Sequence, residues 1–92
     1  MAKNFQALTK RNKNRFLSIR LSGDFDGSSA FELINILDKN AKKKTKVAID
    51  TDGLRTINAF GLNVFRPHIY QGSDDRPTIE ITGRFRNVFQ AD

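Results

Sequence analysis

Strand-like and helix-like segments alternate along this chain and predict an α/β domain: a mixed four-stranded sheet with about three helices packed on it. Three observations carry that expectation. Leu17, Ile19 and Leu21 alternate with Ser18 and Arg20, and Ile79 and Ile81 alternate with Thr78, Glu80 and Thr82, the period of half-buried strands. Val47, Ala48 and Ile49 form a short continuous apolar run, the mark of a buried central strand. Between these segments Ala30, Leu33, Ile34, Leu37 and Ala41 recur at helical spacing. Ninety-two residues make one domain, 1–92, with room for a modest core.

Taken in order, residues 5–9 are expected as a short first strand. Residues 10–14 follow as a polar turn, where Asn12 and Asn14 suit a positive φ. Residues 16–21 form the second strand of an opening hairpin. The stretch Ser22-Gly23-Asp24-Phe25-Asp26-Gly27-Ser28-Ser29 reads as a turn, and Ser29 with Glu32 has capping-box spacing. The first helix follows, with Phe31 and Ile36 widening its apolar face and Lys42 to Lys44 closing it. The central strand, 46–50, is expected to end at a polar turn containing Gly53. Asn58 is a good N-cap for a second helix that buries Leu62, Phe65 and Ile69. Such a strand–loop–helix corner is a common place for a site, because the helix end supplies free N–H groups and partial positive charge. Pro67 must either kink that helix or end it. Residues 71–77 read as a polar loop and 78–82 as the last strand, broken by Gly83. Phe85, Val88 and Phe89, at i, i+3 and i+4, predict a short terminal helix.

Composition narrows the function. Cysteine is absent, which excludes disulfides, thiolate metal sites and a cysteine nucleophile. His68 is the single histidine, so a histidine cluster is excluded, and a structural role is expected for it. Asp24, Asp26, Asp50 and Asp52 invite a metal reading, but the spacing of a calcium loop is missing and no metal or cofactor is expected. No apolar run approaches the roughly 20 residues that span a bilayer, and the polar start is no signal peptide, so a soluble, cytoplasmic protein is expected. The formal charge of +6 gathers at residues 10–15 and 39–46. Such blocks attract nucleic acid, acidic proteins or anionic lipid. Solvation of a turn and of a helix C-terminus is the favoured explanation, because no aromatic residue interrupts the lysine run for base stacking.

Two motifs resemble the STAS family, typified by bacterial anti-sigma-factor antagonists. In that family a strand aspartate leads, eight residues later, into Asp-Ser-Ser-Gly-Leu at a helix start. Here Asp50 fits the aspartate and Gly61-Leu62 fit the close, whereas Asn58-Ala59-Phe60 depart from it. The second motif, Gly23-Asp24-Phe25-Asp26, is similar to the family's Gly-Glu-Leu-Asp before the first helix. The resemblance covers nearly the whole chain and implies a STAS-like fold and a non-enzymatic protein-interaction module.

It implies further that Asp26, with Asp24 behind it, lies beside the corner formed by Asn58, Ala59, Phe60 and Gly61, and that these residues contact a protein partner of the anti-sigma-factor or serine-kinase type. Asp26 could instead organise its turn by accepting backbone N–H bonds, and the two roles are compatible. The family's phosphorylated serine precedes the glycine, where this chain has Phe60. That switch is therefore expected to be absent: Ala59 has no hydroxyl, and Thr51 and Thr56 do not hold the family position. Phe60 could fill core volume or stand exposed as an anchor. An accessory subunit of a membrane lipid or anion transporter is the first alternative, since STAS-like domains also serve there. A basic nucleic-acid-binding protein is the second. A protein partner is expected ahead of nucleic acid.

Overall fold

The computed structural model describes residues 4–12, 16–40, 45–69 and 78–90. Its elements run β1 (Gln6–Asn12), β2 (Phe16–Phe25), α1 (Gly27–Asn40), β3 (Lys46–Ile57), α2 (Ala59–Phe65), a 3-10 turn (Arg66–His68), β4 (Thr78–Thr82) and α3 (Arg86–Gln90). The four strands form one mixed sheet in the order β1-β2-β3-β4. β1 and β2 are antiparallel, and β2 with β3 and β3 with β4 are parallel. The expected α/β class, mixed four-stranded sheet and three helices are therefore present.

The two parallel connections run through α1 and α2 and step in the same direction across the sheet. Right-handed crossovers of that kind place both helices on one face. Burial agrees with this: Leu17, Ile19, Leu21, Val47, Ile49 and Ile81 from the strands share one core with Leu33 and Leu37 of α1, Leu62 and Phe65 of α2 and Phe89 of α3. At the centre, Phe25, Phe65 and Phe89 pack edge to face, with ring centroids 5.1 Å apart for Phe25–Phe89 and 6.2 Å for the other two pairs. Such pairs add stabilisation beyond the area they bury.

Several sequence expectations are corrected by this packing. β1 runs on to Asn12, so residues 10–12 are strand, while the rest of the expected turn, 13–14, lies outside the described residues. Residues 22–25 are strand rather than turn, and Phe25 is fully buried. Gly23, at φ 88°, is needed because the backbone of Asn4 and Phe5 crosses directly over it. β3 likewise extends through the expected polar turn at Gly53 and runs on to Ile57. Its register with β2 passes from Arg20↔Asp50 to Ser22↔Gly53 and from Gly23↔Leu54 to Asp24↔Thr56, so β3 carries an extra residue at each step. These bulges let a glycine-containing polar segment remain in the sheet.

The helix details also differ. Phe31 is exposed and does not widen the apolar face of α1, while Ile34 and Ile36 are half-buried against the core. Val88 likewise points outward, and Phe89 alone in α3 is fully buried. Pro67 ends α2 rather than kinking it, sitting in the 3-10 turn where its missing N–H costs least. His68 is half-buried, its ring stacked on Phe65 at 6.4 Å, in keeping with a structural role. β4 has the expected bounds, and Gly83 leaves it at φ 96°. The expected lysine closure of α1 at 42–44 and the loop at 71–77 lie outside the described residues.

Candidate docking corner

The C-terminal ends of β2 and β3 deliver the chain to the starts of α1 and α2, and the two starts touch. Asn58 ties them together: its N–H donates to the Phe25 carbonyl at 2.8 Å, and its side-chain Oδ1 accepts the Phe60 N–H at 2.8 Å. Asn58 is thus the N-cap of α2, as its residue type predicts. Gly61 is buried against the neighbouring loop, and a Cβ there would stand 2.7 Å from the carbonyl carbon and oxygen of Asp26. Gly27 opens α1 beneath the Phe60 ring, and a Cβ on it would lie 2.7 Å from two ring carbons. Two glycines facing opposite helix starts therefore set how closely α1 and α2 approach.

Asp26 caps α1. Its Oδ1 accepts the Ser29 N–H at 3.0 Å and the Ser28 hydroxyl at 2.8 Å, and its carbonyl accepts the Ala30 N–H at 2.9 Å. The Ser29 N–H, then the Ser28 and Ser29 hydroxyls, hold its carboxyl below the usual aspartate range. This corrects the expected Ser29–Glu32 box. Ser29 sits inside the helix, buried, and its hydroxyl donates to the Asp24 carbonyl at 2.8 Å. Asp24 itself accepts the Thr56 hydroxyl at 2.8 Å and lies 3.6 Å from Arg55.

The six predicted site residues, Asp24, Asp26, Asn58, Ala59, Phe60 and Gly61, thus meet at one end of the sheet. Phe60 resolves outward: it is 61 % exposed, and Ala59 beside it is exposed too. Phe31, four residues beyond Gly27 on α1, is 56 % exposed. That exposure is not what the sequence predicts, where helical periodicity assigns Phe31 to the core.

The other two acids stand elsewhere. Asp50 Oδ1 accepts the Asp52 N–H at 2.9 Å within β3, and Asp52 Oδ1 accepts the Arg84 N–H at 2.7 Å, so Asp52 fastens the turn after β4. Among the described residues no group of three acids or histidines is placed to hold a metal ion. Of the two weak hydroxyl candidates, Thr51 is fully buried and donates to the Thr82 carbonyl at 2.7 Å, while Thr56 is bonded to Asp24. Compared with protein-family models and with curated proteins, the chain shows no match to either.

Proposed function

We propose that this chain is a non-enzymatic protein-interaction module, similar in mode to anti-sigma-factor antagonists, that docks through this corner and is not switched by phosphorylation at the family site, position 60. The observation that carries the reading is Phe60, a large apolar side chain left 61 % exposed between two polar caps. An exposed aromatic ring at the meeting of two capped helix starts, beside Ala59 and over Gly27, has the make-up of an interface anchor. Position 60 has no hydroxyl, and Thr51 cannot meet a kinase without unfolding the β3–β4 junction. Among the described residues no helix is long and apolar enough to cross a membrane. The reading places the protein in the cytoplasm, with an anti-sigma-factor or serine-kinase type of partner.

The test is affinity capture from the host lysate at moderate salt, with Phe60→Ser and Asp26→Lys as comparison baits. Recovery of a partner of that type by the native chain, and its loss with Phe60→Ser, is the expected outcome. An anchor of this kind weakens binding by about 30-fold or more when removed, from ~2 kcal/mol. The melting temperature of Phe60→Ser should stay within a few degrees of the native value, because exposed substitutions cost about 0.5 kcal/mol or less. Retention of the partner by Phe60→Ser would sink the reading.

A further inference from the structure

The sheet face turned away from the helices takes no part in the docking corner, and the strand register maps it residue by residue. Where β2 and β3 begin, Asn12, Phe16, Lys46 and Thr78 stand in one row across all four strands. The next row on that face is Lys10, Ser18, Ala48 and Glu80, and the third is Leu8, Arg20, Asp50 and Thr82. Successive side chains alternate between faces, and the intervening Leu17, Ile19, Val47 and Ile49 are buried under the helices. Phe16 is half-buried yet stands apart from the core cluster and from the apolar residues packed against it.

The register thus supplies what the linear lysine run lacks, an aromatic ring between Asn12 and Lys46 with Lys10 in the adjacent row. Lys10 and Lys46 are exposed. Two acids share the face, but neither is in the Phe16 row. Asp50 is two rows away, 3.8 Å from Arg20, and Glu80 sits on the outer strand. More positive charge stands at the same end. Arg11 donates to the Asn40 carbonyl at 3.0 Å, and Lys39 lies in the last turn of α1. The connections 13–15 and 41–44, outside the described residues, contain Lys13, Arg15, Lys42, Lys43 and Lys44. The site needs none of them. A shallow groove of about 470 Å³, lined by Leu8, Lys10, Ser18, Arg20, Ala48 and Asp50, continues from that end along the face.

We propose that this open face binds single-stranded nucleic acid, with Phe16 as a stacking platform for a base and Lys10 and Lys46 against the phosphates. A flat anionic surface would use the lysines alone, whereas the ring among them selects a base free to unstack. A duplex offers its phosphates but keeps its bases paired, so it satisfies only half of the site.

Fluorescence anisotropy with short labelled oligo-uridine and oligo-deoxythymidine, and a duplex of the same length, tests this across a salt series. Either single strand should bind more tightly than the duplex. Phe16→Leu keeps apolar bulk and should weaken binding about 10-fold, as loss of one stacked base does, with the salt dependence unchanged. Lys10→Ala combined with Lys46→Ala should reduce the log–log salt slope by about 1.4, at ~0.7 per phosphate contact on a single strand. Native affinity in Phe16→Leu, equal binding of the duplex, an unchanged slope in the lysine double variant, or no saturable binding of any strand would each overturn the proposal. Thermal melts of both variants accompany the titrations; should Phe16→Leu unfold, the exposed lysine pair and the duplex comparison still decide. None of these changes touches Phe60 or Asp26, so failure here leaves the docking corner standing.

Discussion

At the scale of single residues, the corner depends on two glycines that differ in what lies opposite them. Gly61 faces the Asp26 backbone, which cannot retreat, whereas Gly27 faces the free end of an exposed phenylalanine. Alanine at 61 would gain about 1 kcal/mol in helix propensity. Overpacking against backbone costs about 1–3 kcal/mol, so the clash should prevail. Gly61→Ala is therefore expected to lower the urea midpoint. Gly27→Ala should leave it nearly unchanged while shifting the Phe60 ring and weakening partner capture. The Asp26 carboxyl makes a separate prediction. Its folded-state pKa lies below the unfolded value of about 3.9, so the folded chain takes up this proton at lower pH than the unfolded chain. Its contribution to stability is complete above that value and is lost as the pH falls through the folded pKa. Urea midpoints measured against pH should fall in that acidic window, and Asp26→Asn should flatten that part of the curve. An identical acid slope in Asp26→Asn would show that other carboxylates carry it.

At the scale of elements, the junction of β3, β4 and α3 is held by one buried hydroxyl. Thr51 Oγ1 donates to the Thr82 carbonyl at 2.7 Å and accepts the Phe85 N–H at 3.1 Å. Thr51→Val conserves shape but leaves both groups without their partner, which costs about 1–3 kcal/mol each when they stay dry. Denaturant unfolding should register that loss, with faster hydrogen exchange at Phe85. The same region illustrates what could be read in the sequence and what could not. Element types and the bounds of β4 followed from periodicity, and Asn58 followed from capping chemistry. The ends of β2 and β3 did not, because Gly23 and Gly53 sit in segments with every local mark of a turn. One admits the crossing Asn4–Phe5 backbone, and the other lies in a bulge; both needs arise only from the folded chain. Phe31 was misplaced and Phe60 left open for a related reason. Helical spacing alone put Phe31 with the core, and Phe60, at a helix start, has no periodicity to assign it; both face solvent in the folded chain.

For the molecule as a whole, coverage of the sheet is lopsided. Asp24 and Asp26 lie where β2 ends, with Arg55 beside Asp24, while Lys10, Arg11, Lys39 and Lys46 lie at the opposite end of the sheet, with Asp38 next to Lys39. The helices cover one face and leave the other open, so the two proposed surfaces share no residue. Substitutions on the open face should accordingly leave the melting temperature nearly unchanged, whereas truncating Phe25, Phe65 or Phe89 to alanine should cost about 3–5 kcal/mol each. The strand order β1-β2-β3-β4 has a consequence of a different kind. The order across the sheet is the order of synthesis, and each new strand joins an edge already built. A chain leaving the ribosome never has to open a finished pair to insert a later strand. Its assembly can proceed by growth at one margin, each helix closing over the layer just laid down.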